Sequence, residues 1–184
     1  ERSSGRRGAH GRRGPTPPRA APVATPAYPL DLFILPDDGI APILNALNGA
    51  QDSIHMMIYL LTEPRIIQAL KGAVARGVDV RVILEQSPHG SEGGNEGVRS
   101  DLAAAGIRVQ WDNPAFNFTH AKLIVIDQKK LLVMTGNLTN STFKSQREYG
   151  LIVSDPQAIA EALRVFEADW NRTRVDLSQS RLVW

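Results

Sequence analysis

Cysteine is absent from all 184 residues. Neither disulfides nor thiolate metal sites are therefore available to this chain. Histidine is scarce too, confined to His10, His55, His89 and His120. None of the four stands at a ligand spacing to another or to acids, so a metal site has no support. No apolar run approaches the length of a membrane span, and the start lacks the basic-then-apolar order of a signal peptide. No complete internal repeat is present. The chain opens on Glu1 rather than Met, which reads as a processed or excised piece. What is there is 42% apolar, enough to bury one ordinary core.

Charge is unevenly spread. Residues 1–20 hold six Arg (2, 6, 7, 12, 13 and 19) against one acid, while the whole chain carries a net charge of only +2. The remainder is therefore acidic, and the high isoelectric point belongs to the tail. That tail, residues 1–29, is Arg, Gly, Pro and Ala and cannot bury enough surface to offset its ordering entropy. Two readings stay open for it: a flexible linker or leader, and a basic arm for nucleic acid or anionic lipid.

From Leu30 onward the pattern becomes regular. Residues 32–35 read as a short strand. Asp37 or Asp38 is expected to cap a helix presenting Ile40, Ile43, Leu44 and Leu47, closed by a left-handed Gly49. Residues 53–61 read as a strand buried on both faces. Thr62 is expected to cap the next helix, with Pro64 in its first turn and Gly77 at its end. Strand 78–84, helix 98–105 closed by Gly106 and strand 107–111 follow. A hairpin over 119–135, turning at Lys129 and Lys130, leads to strand 148–153. The last helix runs from Asp155 or Pro156 to about Trp170. Helices that stop on Gly just before apolar strands predict an α/β fold, a mixed β-sheet sandwiched between helices. The organisation reads as tail 1–29, one domain over 30–172, and a linker over 173–184. The final four residues (RLVW) read as the opening of a second, missing domain.

One constellation carries chemistry. His120, Lys122 and Asp127 stand as H-x-K-x4-D, and Asn137 follows ten residues after the Asp. Two residues apart on a strand, the imidazole and the ammonium leave the same face. Together they make a site for an anion, and the commonest reactive one is a phosphate ester. Asp127, at the far end of the strand on the order of 20 Å away, is expected to brace the turn or pair a structural cation.

The stretch 120–148 resembles the HKD motif of the phospholipase D superfamily, H-x-K-x4-D-x6-G-S-x-N. Met134 stands at the Gly position, Thr135 at the Ser, Asn137 at the Asn, and Glu148 at the acid eleven residues on. The resemblance implies the α/β/α architecture of phospholipase D-like domains and a phosphodiesterase that works without metal or cofactor. It makes His120 the nucleophile that carries a phosphohistidine, and Glu148 the group that fixes its tautomer. Lys122, Asn137 and Thr135 become the phosphate-binding donors. A single motif of this kind supplies one His, so a homodimer or a second HKD domain is needed to complete the site. The substrate reading is a phosphodiester, with phospholipid favoured. The alternatives are an endonuclease of the same superfamily on DNA or RNA, and a degenerate phosphate-binding or scaffold domain.

Other residues read as secondary. His55 falls in an apolar strand, with a core role as its default. Phe116 and Phe118 wall the substrate gorge or merely pack, and His89 lies in the Gly-rich loop 87–97 near the active face. Sequons at Asn117, Asn137, Asn140 and Asn171 point weakly to a bacterial or cytosolic setting, because a glycan on Asn137 would fill the phosphate site. Localisation stays open between the bacterial cytoplasm and export.

Overall fold

The chain alternates strand and helix along its length, and the strands collect in one sheet. The structure, a computed structural model, describes residues 28–90, 93–178 and 180. Most of the basic tail, with His10, and the RLVW end lie outside the described residues. The elements run β1 (Leu30–Leu35), α1 (Ala41–Asn48), β2 (Ser53–Ile58), α2 (Pro64–Ala75), β3 (Asp79–Leu84), α3 (Glu96–Ala104), β4 (Arg108–Trp111), β5 (Lys122–Ile126), β6 (Lys130–Met134), α4 (Asn140–Lys144), β7 (Glu148–Val153) and α5 (Pro156–Trp170). The seven strands lie in the order β1-β7-β6-β5-β2-β3-β4. Strands β2, β3 and β4 are parallel, joined by α2 and α3 as crossovers, and every other pairing is antiparallel. The mixed sheet expected between helices is what forms.

Side chains that alternate along the strands build a core on each face. On one face Phe33, Ile54, Met56, Val82, Ile124 and Leu132 pack against Ile43 and Leu47 of α1, Ile66 and Leu70 of α2 and Leu102 of α3. On the other, α5 lays Ile159, Ala162 and Phe166 over Leu123, Val125, Leu131, Met57 and Ile83. Gly150 is dictated by this packing: a Cβ there would lie 1.9 Å from the Phe33 ring. Met134 ends β6 opposite Gly150 with its side chain in the first core, and its backbone is not left-handed.

Several local expectations are corrected. Asp38 does not cap α1; its carboxylate turns back to accept from the Ile34 N–H at 2.7 Å, and Asp37 pairs with Arg147. Helix α1 therefore starts from Ile40 without a side-chain cap. Gly49 sits at φ −81°, whereas Gly77 and Gly106 adopt the left-handed φ of +89° and +84°. The Gly49 N–H closes onto the Asn45 carbonyl instead. Glu63, not Thr62, caps α2 by accepting from the Arg65 N–H. Strand β2 ends at Ile58, and beyond it Leu61 makes one bridge to Leu138. Strand β5 begins only at Lys122, so His120 precedes the strand. The turn after β5 is made by Asp127 and Gln128, both at φ 52°. Helix α4, unanticipated, is capped by the Thr139 hydroxyl, which accepts from the Thr142 N–H.

Candidate active site

Register brings scattered residues to one end of the sheet. Ile58 pairs with both Leu84 and Lys122, Leu84 pairs with Trp111, Met134 with Gly150, and Leu35 with Glu148. The ends of β2, β3, β4 and β6 therefore meet the beginnings of β5 and β7. Tyr59, Glu85, Asp112, His120, Lys122, Thr135, Asn137 and Glu148 all follow, open or closely precede a strand at this end. The C-terminal ends of parallel strands are where open α/β sheets place their sites.

His120 lies in the irregular segment before β5, yet it meets Lys122 as the spacing predicts. The Lys122 Nζ stands 3.0 Å from each ring nitrogen and 2.9 Å from the His120 carbonyl oxygen. The Tyr59 ring packs edge-on against the imidazole at 4.5 Å between centroids and lies under the Lys122 ammonium at 5.2 Å. Burial, then the neighbouring Lys122 charge, lowers the His120 pKa, with Glu85 opposing. A pKa below the ordinary value favours the neutral form of the imidazole. Lys122 itself is buried, and desolvation pushes it down to about 8 against the pull of Glu148.

Thr135 and Glu148 are joined to each other. The Thr135 hydroxyl donates to the Glu148 carboxylate, and its oxygen accepts from the Tyr149 N–H at 3.0 Å. The sequence-based expectation that Glu148 fixes the His120 tautomer differs from this arrangement. Its hydrogen bond goes to Thr135 and its charge acts on Lys122. Asn137 sits in the loop after β6, anchored through the Leu138 N–H to the Leu60 carbonyl at 3.0 Å. Its Oδ1 is buried without a hydrogen-bond partner among the described residues.

Asp127 is at the opposite end of the sheet. Its carboxylate accepts from the backbone N–H groups of Gln51, Asp52 and Ser53 at 2.8–3.1 Å. Burial pushes its pKa up, but those bonds and Lys129 outweigh it and hold the group below its ordinary value. His55 is likewise remote, buried under α5, stacked on Phe166 at 5.1 Å and 2.8 Å from the Arg81 guanidinium. The His89 N–H donates to the Tyr59 hydroxyl, which ties the Gly-rich loop to the site. Phe116 and Phe118 are exposed in the segment that leads to His120. Among the described residues no three His, Cys, Asp or Glu side chains gather to hold a metal ion.

Sequence reasoning missed Tyr59, Glu85 and Asp112. The available signal was an acid immediately after each of two apolar strands, where a sheet end gathers functional groups.

Comparison with known proteins names the family. The family described as cardiolipin synthase, PLD-like domain, matches residues 43–170. The chain belongs to that phospholipase D-like family. A mouse mitochondrial cardiolipin hydrolase is 28% identical over 134 residues, covering 73% of this chain and 59% of the relative. A phospholipase D from Rickettsia conorii is 33% identical over 120 residues, covering 65% of this chain and 58% of that protein. The crystal structure of Nuc, a phospholipase D family member from Salmonella typhimurium, superposes with a TM-score of 0.72 at 25% identity, covering 80% of this chain and 97% of Nuc. This phospholipase D-like chain thus spans less than two thirds of the curated relatives it matches, but nearly all of one solved family member.

Proposed function

We propose that this domain supplies one half of a metal-independent phosphodiesterase site acting on a phospholipid diester through a phosphohistidine. The observation that carries the reading is an imidazole at the sheet end with a buried ammonium 3.0 Å from its nitrogens, whose charge helps lower the imidazole pKa. A free ring nitrogen of His120 attacks phosphorus in line and forms the P–N bond while the P–O bond to the leaving alcohol breaks. Lys122 and the Asn137 amide donate to the non-bridging oxygens, where charge accumulates, and Thr135 joins them once substrate draws its hydroxyl proton from Glu148. Substrate must first draw Lys122 from the imidazole, so a phosphoryl oxygen replaces the ring as the ammonium's partner.

The leaving oxygen needs a proton from the side opposite His120, and water must later be deprotonated to cleave the P–N bond. One His cannot stand on both sides of an in-line displacement. A second half, from another copy of the chain or a second HKD domain, supplies that group. Helix α5 packs on β2, β5 and β6. Register extends the same sheet face from Val133 of β6 across β7 and β1, and Leu30, Leu32, Val133 and Tyr149 remain exposed on it. Thr135 follows Val133 on this face, so the apolar surface borders the site and fits the second half.

Relatives described as cardiolipin hydrolase and phospholipase D favour lipid over nucleic acid. The six Arg of residues 1–20 favour nucleic acid as the second reading. The test is alkaline denaturing quench during turnover of a labelled phosphatidyl substrate, then peptide mapping. Base-stable, acid-labile phosphate on His120 is expected, with turnover unaffected by excess EDTA. His120→Ala should lose at least roughly a thousandfold in turnover. Near-parental activity of that variant would sink the reading.

A further inference from the structure

Two buried carboxyl groups at the site end of the sheet are left unused by this mechanism. Glu85 directly follows β3 and Asp112 directly follows β4, with 4% and 9% of their surfaces exposed. Each is fixed by the backbone: Glu85 accepts from the Ser87 N–H at 3.0 Å, and Asp112 from the Gln86 N–H at 3.0 Å. Both also reach Thr119, the residue before His120. The other Glu85 oxygen accepts from the Thr119 N–H at 2.7 Å, and the Thr119 side chain hydrogen-bonds Asp112. The two carboxyls are close enough for Glu85 to help raise the Asp112 pKa, the proximity at which two buried acids can hold a single proton between them. Asn95, wholly buried, donates to the backbone carbonyls of Tyr59 and Glu85 at 2.9 and 2.8 Å and so fixes the frame around the pair.

We propose that Glu85 and Asp112 form a proton-sharing positioning pair that grips Thr119, delivers His120 onto Lys122 and Tyr59, and sets one negative charge beside the imidazole. The proposal rests on the reading of His120 as the reacting residue. The geometry explains where the sheet ladder stops before β5: Ala121 still gives its carbonyl to the Tyr59 N–H at 3.0 Å, but the Thr119 N–H is taken by a carboxylate. It also supplies the charge near His120 that Glu148, bonded to Thr135, does not. Glu85 opposes the lowering of the His120 pKa, and burial first, then Glu85, raises that of Asp112 despite the Gln86 bond. The other titratable groups around the pair are Lys122 and His120 at the start of β5, Tyr59 at the end of β2, and His89 in the loop that binds the Tyr59 hydroxyl. An imidazole turning cationic or phosphorylated gains from a fixed anion, whereas a pair that bore two charges would cost too much to bury.

The experiment follows the His120 ring nitrogens by long-range proton–nitrogen NMR across pH, without substrate, in the parent, Glu85→Gln, Asp112→Asn and Glu167→Gln. Glu85→Gln removes the charge and should lower the His120 pKa by about half a unit or more, shifting the acid limb of kcat/KM equally. Asp112→Asn leaves Glu85 fully ionised and should hold or raise it. Glu167→Gln, on α5 beside Arg81, should leave it unmoved. A loosened fold would move both pair variants the same way, so shifts of one sign overturn the proposal, as does no shift in folded Glu85→Gln. Should Glu85→Gln not fold, carboxyl carbon titration of the parent decides. A single step above the ordinary carboxylate range, felt at the Thr119 amide, supports the shared proton, and two ordinary steps overturn it. Opposed shifts together with a fully active His120→Ala protein would leave the pair standing and remove the phosphohistidine reading alone.

Discussion

Lys122 concentrates the electrostatics of the site. A buried ammonium brought down to about 8 still carries its charge at neutral pH, but only narrowly. On the proposed mechanism, turnover requires pH above the lowered pKa of His120 and below that of Lys122. The expected kcat/KM profile is a bell with its alkaline limb near 8 and its acid limb below the ordinary 6.5 of histidine. Lys122→Arg should remove the alkaline limb while lowering the plateau by roughly tenfold or more, since the guanidinium keeps its charge but not the fit. An alkaline limb that survives this change would assign it to another group. The same residue costs stability. Its folded pKa lies below its unfolded 10.5, so the folded state releases the proton first and stability rises with pH between about 8 and 10.5. Lys122→Met should accordingly abolish turnover and raise the melting temperature by about 3 °C, the response of a domain of this size to about 1 kcal/mol. A lower melting temperature would show that the ammonium stabilises the fold instead.

At the scale of elements, the β5–β6 hairpin works at both ends. One end carries Lys122 and leads to Thr135, and the other is pinned by Asp127 against the start of β2. A carboxylate that accepts from three consecutive N–H groups replaces the ladder that the turn interrupts. Asp127→Ala should cost about 2 kcal/mol in chemical denaturation, the range for hydrogen bonds to a charged group, while changing kcat less than Lys122→Ala does. The pKa of Asp127 is depressed, so its contribution is complete above the unfolded value of 3.8 and disappears as pH falls through the lower folded value. A variant with parental stability and lost turnover would move Asp127 from the frame into the chemistry.

For the whole molecule, the two-half reading makes the α5-side face of the sheet the place where the halves meet. Leu32, on edge strand β1, is 57% exposed in line with Val133 and Tyr149. An apolar patch of this kind beside a half-site marks an interaction surface. With a second copy as the other half, Leu32→Asp should turn a dimer into a monomer in light scattering and lower turnover per chain by about a hundredfold or more, because the second proton-transfer group would leave with the partner. Full turnover by a strictly monomeric protein would refute the two-half site.

The sequence by itself determined what depends on neighbours along the chain. Strand and helix periods place eleven of the elements within a few residues, and Gly77 and Gly106 stop helices because φ near +85° suits little else. The pair His120 and Lys122 was legible for the same reason: two residues of extended chain bring their side chains together wherever the strand is paired. Short α4 had no such period to reveal it. The tertiary structure decided everything that depends on a competing partner. Asp38 had two backbone targets and took Ile34. Thr62 lost its cap to Glu63, which also holds Arg65 at 2.6 Å. Glu148 was one of several acids within reach of the site, and only the register of β6 against β7 set it beside Thr135. Glu85 meets Thr119 across 34 residues because β3 lies next to β2, which lies next to β5. No local pattern encodes that adjacency; it follows from which strands share a ladder once the core closes.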